Sequence, residues 1–347
     1  MSHEIETMAY AGETPWHGLG NKVSNDMTPE EMLVAAQLNW TVSKRQAYTL
    51  DSPDCLNLLD PRSEAGFLRC DGSYFLTRDS DNKILSPCGE GYVPFQNHQV
   101  LDFFKKFTEA GNMKMETAGS LKSGKDIWGL AKLDQKYELA GNDEVGGYLL
   151  VNNSHMVGKA MTIMFTPIRV VCNNTLTLAL KNDDAKFRVV HLQMFDEEIK
   201  KAAEESLGLS GLQMKRFKEQ SEYLAGKKYN TGALERFVAD LFQPTLLEDR
   251  HKALQNSESL PPVRDQFKNT AESVYEAVLT SPGSDMKSAR GTWWGALNGV
   301  TYYIDHQKRS QIEGNALHSA WFGSGAVTKR KALTKALEYA AVGYANA

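Results

Sequence analysis

The stretch from Glu144 to Leu180 constrains the fold more than any other part of the sequence. Two apolar, β-branched runs are separated by a polar turn, and a third extended run leads directly into a helix-forming segment. This pattern predicts a β-hairpin, a further strand and a packed helix. Such an arrangement is a suitable platform for nucleic acid, and no catalytic signature elsewhere in the sequence competes with that interpretation.

The rest of the chain divides into a β-rich first half and a helical second half. Thr28-Pro29-Glu30-Glu31 predicts a helix with a capping box, and Asn97 predicts the cap of a second helix. Asp71-Gly72 predicts a tight hairpin between two short strands. After Met194, helical periodicity predicts helices at 194–207, 211–225, 232–242, 264–280, 292–306 and 326–345.

These patterns predict an α+β fold: a curved, mainly antiparallel sheet at about residues 40–192, covered by helices, with a helical C-terminal region packed against it. The predicted division is a β-rich core at 1–192, with the N-terminal segment and two early helices, and a helical region at 193–347. We expect the two to form one extended domain.

Composition limits the classes of function. The formal net charge of -4 gives no general support for nucleic-acid binding, which therefore needs a local basic patch. No apolar run approaches the roughly 20 residues that span a bilayer, and no secretory signal is evident. The four cysteines form no CxxC pair. The sequence therefore predicts a protein of the host cell cytoplasm without membrane association.

Enzymatic motifs are weak. Residues 119–126 (GSLKSGKD) nearly match a phosphate-binding loop, but Asp126 replaces the required hydroxyl and a strand follows, so we predict a hairpin turn. Cys172 and His191 leave open a thiol enzyme. No histidine or cysteine has metal-ligand spacing, and Asp305-His306 with His318 is the best remaining cluster. We therefore predict no cofactor and no metal.

Basic residues interleaved with aromatic residues are more informative. Lys159, Arg169 and Arg188 lie in or beside the central strands, and Arg290 precedes Trp293-Trp294. Binders of single strands need cations for phosphates and flat rings for bases. The alternative is a solvated charged face beside an aromatic core, because Trp294, Leu297, Thr301 and Ile304 share one helical stripe.

The chain resembles the phage- and plasmid-encoded "phage/plasmid-like" family built around a domain of unknown function. The matching blocks occur in the order of the family: PWHGLG at 15–20, RVVCNNTL at 169–176, WGALNGVT at 294–301 with Asp305-His306, and FGSGA at 322–326 with Lys329. The resemblance implies an origin in a phage or mobile element and one extended domain, but no established activity or cofactor. A second, fold-level similarity links residues 144–180 to the ring-forming single-strand annealing proteins of the Red-beta and RecT kind.

We therefore predict a phage or mobile-element protein, more consistent with a non-enzyme, that binds single-stranded nucleic acid as a homo-oligomer in DNA replication or recombination. The predicted contact residues are Lys159, Arg169, Arg188, Arg290, Trp293, Tyr302, Lys308, Arg309, Lys329 and Arg330. Two alternatives remain open: a host-interaction or anti-defence factor that acts by protein binding, and the Cys172/His191 thiol enzyme.

Overall fold

The computed structural model describes residues 5–12, 19–50, 67–172, 174–175, 186–192, 197, 201, 210–308 and 316–343. The fold is α+β, as the sequence predicts. Among these residues, no helix combines the length and the apolar character that crossing a bilayer demands.

The main sheet contains eight of the described strands and is antiparallel except for one parallel pair, β1 with β2. Its order is β10-β9-β8-β7-β6-β1-β2, and β11 also pairs with β9. The strands are β1 (Ile5–Tyr10), β2 (Asn21–Lys22), β6 (Met113–Leu121), β7 (Asp126–Leu139), β8 (Asp143–Ser154), β9 (Met161–Arg169), β10 (Asn174–Thr175) and β11 (Lys186–Val189).

The predicted hairpin in the 144–180 stretch is confirmed as β8 and β9. After β9 the chain makes a 3-10 turn (Val170–Cys172) and pairs back on the same strand as β10. The helix expected from Leu176 lies outside the described residues, as does most of the helix expected at 194–207. The near match to a phosphate-binding loop is a hairpin turn between β6 and β7, as predicted, with positive φ angles at Lys122, Ser123 and Gly124.

A second, three-stranded sheet contains β3 (Val42–Leu50), β4 (Phe67–Arg78) and β5 (Lys83–Gly89). The hairpin predicted at Asp71-Gly72 is wrong, because β4 continues through both residues. Gly72 has a φ of +71° within an irregularity of the strand, and Gln46 Nε2 donates to the carbonyl oxygens of Cys70 and Ser73 on either side of it. Asp71-Gly72 therefore forms a β-bulge and not a hairpin turn. Both structures need a glycine with a positive φ, which is why the sequence pattern is the same.

Three short helices, α1 (Pro29–Ala35), α2 (Asn97–Asp102) and α3 (Lys105–Glu109), cover one face of the main sheet. The predicted capping box is confirmed, since Thr28 Oγ1 accepts from the Glu31 amide at 3.2 Å and Glu31 Oε2 accepts from the Thr28 amide at 2.9 Å. Asn97 is not the cap of α2, a position taken by Gln96. Asn97 is buried and donates to Leu38 instead.

The C-terminal helices pack around a core that includes residues of β7, β8 and β9. They are α4 (Ser210–Ala225), α5 (Thr231–Phe242), α6 (Pro244–Gln255), α7 (Asp265–Thr280), α8 (Trp293–Tyr302), α9 (Ala316–Phe322) and α10 (Ser324–Val342), with a π-helical turn at Tyr303–Gln307. In α8, a Cβ atom on Gly299 would lie 2.3 Å from Val278 of α7. This glycine therefore permits the close approach of α7 and α8.

Candidate functional site

An open pocket of about 270 Å³ lies where β7 begins and β8 ends. We call it the cationic pocket. Helix α9 and the turn between β8 and β9 complete its walls. Its lining residues are Asp126, Asn152, Ser154, Gly158, Lys159, Ala160, Thr162, Arg188, His318 and Phe322.

Strand register explains why these polar side chains share one face. Asn152 pairs with Thr162, and Thr162 pairs with Arg188, so the three form a row across β8, β9 and β11. Asp126 pairs with Ser154 in a second row, two residues along β8. Residues two apart in a strand point to the same side, and paired residues on neighbouring strands do too. The two rows therefore form the floor of the pocket.

Helix α9 supplies the wall. His318 and Phe322 are four residues apart and therefore lie on the same face of the helix, with ring centroids 5.8 Å apart. Trp321 contacts the buried Trp128 edge to face at 6.0 Å and so attaches α9 to the sheet. A Cβ atom on Gly119 would lie 2.3 Å from Trp128, so that glycine leaves the space that the indole occupies.

Positive charge predominates around the pocket. Lys159 and Arg188 are exposed, and Lys122 Nζ lies 3.3 Å from Asp126 Oδ2. His318 Nε2 lies 3.7 Å from the same oxygen. Burial lowers the pKa of His318, Asp126 acts in the opposite direction, and Lys122 and Lys159 lower this pKa further. Among the described residues, three permanent cations thus accompany one carboxylate.

Two acceptors on the floor lack hydrogen bonds. Asn152 is 8% exposed, and its Oδ1 accepts no hydrogen bond from any residue that the structure describes. Asp126 is 1% exposed, and its Oδ2 has Lys122 and the His318 ring nearby but accepts no hydrogen bond from the described residues. Buried polar atoms normally have partners, so these oxygens mark a place for an external donor.

Two of the predicted contact residues, Lys159 and Arg188, meet in this pocket. Arg169 is completely buried instead. Its Nε and Nη2 donate to the two carboxylate oxygens of Asp143 at 2.7 and 2.8 Å, and Nη2 also donates to the Gly283 carbonyl. Ser288 and Trp294 donate to Asp143 as well. Arg169 therefore joins the sheet to the helical region and does not face a phosphate.

Lys329 and Trp293 also lie in the interior. Lys329 Nζ is 2.6 Å from Asp305 Oδ1, both side chains are buried, and burial lowers the pKa of the lysine. Trp293 is 0% exposed and packs edge to face on Tyr229 and Phe237. Neither is available for phosphate contact or base stacking, because other helices enclose α8 and α10. The local sequence does not show this enclosure.

Arg290 belongs to a different surface, which we call the second cationic cluster and which comprises Lys227, Lys228 and Arg290. The backbone brings these exposed residues together, since Lys228 pairs with Thr292. Ser288, two residues before Arg290, donates to Asp143 at the start of β8. The cationic pocket is at the end of β8, eleven residues later, so roughly 35 Å of strand separates the two. The predicted cations therefore do not form one continuous track.

The remaining predicted residues are less exposed or outside the described ranges. Tyr302 is half-buried, and its ring centroid lies 4.5 Å from that of His306. Arg330 and Lys308 are half-buried as well, and burial lowers the pKa of Lys308. Arg309 lies outside the described residues.

The proposed thiol pair is not supported by the topology. Cys172 follows the last residue of β9, whereas His191 follows Val189, which pairs with Met161 at the first residue of β9. Eight residues of strand put them on the order of 25 Å apart. His191 Nδ1 lies 3.1 Å from the Val93 carbonyl, and its ring stacks on Tyr92. A Cys172–His191 dyad is therefore excluded.

Sequence reasoning did not assign Lys122, Asn152 and Phe322 to a site. Lys122 was visible within the GSLKSGKD turn, and His318 was noted only as a possible metal ligand. Within the described ranges, no three His, Cys, Asp or Glu side chains gather as metal ligands.

Comparison with known families gives one match. The model of the family described as "Domain of unknown function (DUF932)" matches residues 84–333. This range includes the whole cationic pocket and the second cationic cluster. No curated protein and no solved structure matches the chain.

Proposed function

Because the chain belongs to the DUF932 family, whose description names no activity, we propose a function from its own geometry: it binds single-stranded nucleic acid at the cationic pocket. The observation that carries this proposal is the meeting of Lys159 and Arg188. They are distant in sequence, both are exposed, and pairing of β11 with β9 brings them into one pocket beside Lys122. An exposed cation in an open pocket is available to a phosphate group, unlike the buried Arg169.

The chemistry of the pocket suits a nucleotide rather than a simple anion. Phe322 supplies an aromatic ring at the wall, and bases stack on such rings in proteins that bind single strands. Lys159, Arg188 and Lys122 would neutralise phosphate groups. In this proposal Phe322 takes the stacking role that the sequence suggested for Trp293.

The biological setting is part of the proposal. The four sequence blocks shared with the phage/plasmid-like family support a role in the replication or recombination of phage or mobile-element DNA. The β8–β9 hairpin with its neighbouring strands supports the analogy with annealing proteins, which act as homo-oligomers. Light scattering on the purified protein, with and without an oligonucleotide, would measure its oligomeric state.

The test is a titration of a labelled single-stranded oligonucleotide at several salt concentrations. For a single strand, the slope of log K against log salt is about -0.7 for each phosphate neutralised. If Lys159 and Arg188 each contact one phosphate, the double variant Lys159→Ala/Arg188→Ala will reduce the magnitude of the slope by about 1.4. Binding at low salt will weaken correspondingly.

Arg290→Ala is the matched control, because it removes an equally exposed cation from the second cationic cluster. It should leave both affinity and slope unchanged. If the wild-type protein fails to bind at low salt, or if Arg290→Ala matters more than the double variant, the proposal is wrong.

A second candidate function, binding of a host protein, is favoured by exposed apolar side chains at the same end of the sheet. Leu192 is 72% exposed, and Val157 and Val190 are each about half exposed. Exposed apolar clusters often mark protein-binding surfaces. A specific host partner would be recovered from nuclease-treated lysate by the wild-type protein and lost with Leu192→Asp, whereas a contact bridged by nucleic acid would disappear on digestion.

A further inference from the structure

The floor of the cationic pocket carries two buried acceptors that no phosphate can satisfy. Asn152 Oδ1 and Asp126 Oδ2 accept no hydrogen bond from the described part of the chain, although both side chains are more than nine-tenths buried and line the pocket. A phosphate oxygen is itself an acceptor and would be repelled by Asp126. A ligand that satisfies these two oxygens presents donors at this place.

Lys122 lies beside Asp126, whereas Arg188 and Lys159 lie in another part of the pocket from the two acceptors. From Asn152 the cross-strand row passes through Thr162 to Arg188, which is two strand spacings or roughly 10 Å away. Lys159 is on the turn between β8 and β9, on the open side. A ligand that satisfies both sides therefore has hydrogen-bond donors at one end and an anion at the other, as a nucleotide has in its base edge and its phosphate.

The number of acceptors discriminates among the bases. Guanine presents two adjacent donors on its Watson–Crick edge, N1–H and the 2-amino group. Adenine and cytosine each present an amino donor beside an acceptor nitrogen, and thymine presents one N–H between two carbonyl oxygens. Asp126 and Asn152 occupy diagonal positions on the paired strands β7 and β8. Two acceptors on one floor match the two donors of guanine, whereas each of the other bases presents an acceptor to one of them.

We infer that the cationic pocket selects guanine within the single strand, an inference that rests on the proposed function. Asp126 Oδ2 accepts from N1–H, and Asn152 Oδ1 accepts from the 2-amino group. The Phe322 ring stacks on the base, and Lys159 and Arg188 hold the adjacent phosphates. The carboxylate makes the N1–H contact charge-assisted, which strengthens it.

The test compares oligothymidylates that differ at one central position: guanine, hypoxanthine, adenine or thymine. Hypoxanthine is guanine without the 2-amino group, so it removes only the donor assigned to Asn152. For the wild-type protein we expect about tenfold tighter binding with guanine than with hypoxanthine, the effect of one lost base contact. Adenine should bind more weakly still.

Asn152→Leu is the informative variant, because leucine has a similar size and cannot accept a hydrogen bond. It should abolish the difference between guanine and hypoxanthine and leave the salt dependence intact. Thr166→Val is the matched control, since the Thr166 hydroxyl is also buried without a hydrogen bond from the described residues but is not among the residues that line the pocket. It should keep the wild-type discrimination.

The outcomes separate this inference from the proposed function. Equal affinity of the wild-type protein for guanine and hypoxanthine oligonucleotides would overturn guanine selection and leave single-strand binding standing. Discrimination that survives in Asn152→Leu would overturn the assignment of the acceptor. Absence of binding to every oligonucleotide at low salt would overturn both.

Discussion

The two ends of strand β8 contain similar polar groups in opposite situations. At the first residue, Asp143 receives hydrogen bonds from Arg169, Ser288 and Trp294, all of them buried. Near the last residue, Asn152 of β8 and Asp126 of the paired strand β7 are also buried, yet each has an oxygen that accepts no hydrogen bond from the described residues. One end is a closed network of charges, and the other opens into a pocket.

This difference shows that burial alone does not decide what a polar residue does. A buried carboxylate surrounded by donors holds elements together, because removing any member leaves its partners unsatisfied. A buried acceptor without a donor costs stability, and one that lines an open pocket can receive the missing contact from a ligand. The predictions below compare the two ends of the strand.

The largest expected effect is that of Asp143→Ala. It would leave the Arg169 guanidinium buried without its counter-ion, which typically costs about 3–5 kcal/mol in the free energy of unfolding. Asp126→Ala is the matched change at the other end. Its neighbours, the Lys122 ammonium and the His318 imidazole, are partly accessible to solvent, so we expect about 1 kcal/mol or less. Urea denaturation monitored by circular dichroism would measure both, and equal losses would contradict the distinction.

A pH-dependent effect comes next, from the other face of the sheet beside the cationic pocket. Burial lowers the pKa of His155 to about 3, with a further contribution from His191, and burial also lowers the pKa of His191. His155 therefore remains neutral in the folded state at pH values where the unfolded chain takes up protons, below about pH 6.5, and His191 takes up its proton at a lower pH in the folded than in the unfolded chain. Stability should therefore fall with pH below that value, by up to about 1.4 kcal/mol per pH unit for His155, with a contribution from His191 in the same direction.

The measurement is urea denaturation at a series of pH values between 7 and about 5. His191→Phe keeps an aromatic ring beside Tyr92 and removes one titrating group, so it should reduce this part of the slope. Stability that is independent of pH in this range would show that the two imidazoles are hydrated in solution.

The smallest effect is a gain. Asn152→Leu and Thr166→Val each remove a buried polar atom that has no hydrogen bond from the described residues, and each should raise the free energy of unfolding by about 1 kcal/mol. The two changes should differ only in binding, where Asn152→Leu loses guanine selection. A clear loss of stability in Asn152→Leu would mean that Asn152 holds a structural water molecule rather than awaiting a ligand.

Local patterns predicted much of the fold. The Thr28/Glu31 capping box and the β8–β9 hairpin depend on residues close together in sequence, so the sequence shows them directly. The stripe of Trp294, Leu297 and Thr301 is buried for the same reason, since its spacing alone defines one face of a helix.

Features that depend on distant partners were missed or misassigned. Strand β1 was not predicted, because Ile5–Tyr10 is short and its partner β6 is more than a hundred residues away. Asp71-Gly72 has the chemistry of a turn, but whether β4 turns or continues is decided by its pairing with β3 and β5. Arg169 was taken for a phosphate contact, since nothing near it in sequence indicates that Asp143 lies against it.

The site shows the same limit. Lys159 and Arg188 were both identified as cations beside strands, but only the pairing of β11 with β9 places them together. Trp293 and Trp294 are consecutive, and a helical stripe predicts one inside and one outside. Both are buried, because helices cover α8 on more than one side.

Strand β11 couples ligand binding in the pocket to strand pairing at the edge of the sheet. Four residues, Lys186–Val189, attach Arg188 to the sheet by pairing with β9, which is their one strand partner among the described residues. A ligand held by Arg188 binds only the attached form and so shifts the equilibrium toward it. Binding of a ligand in the cationic pocket should therefore slow amide hydrogen exchange in these four residues more than in the central strands. Exchange at the edge of the sheet would then report whether single-stranded nucleic acid is bound.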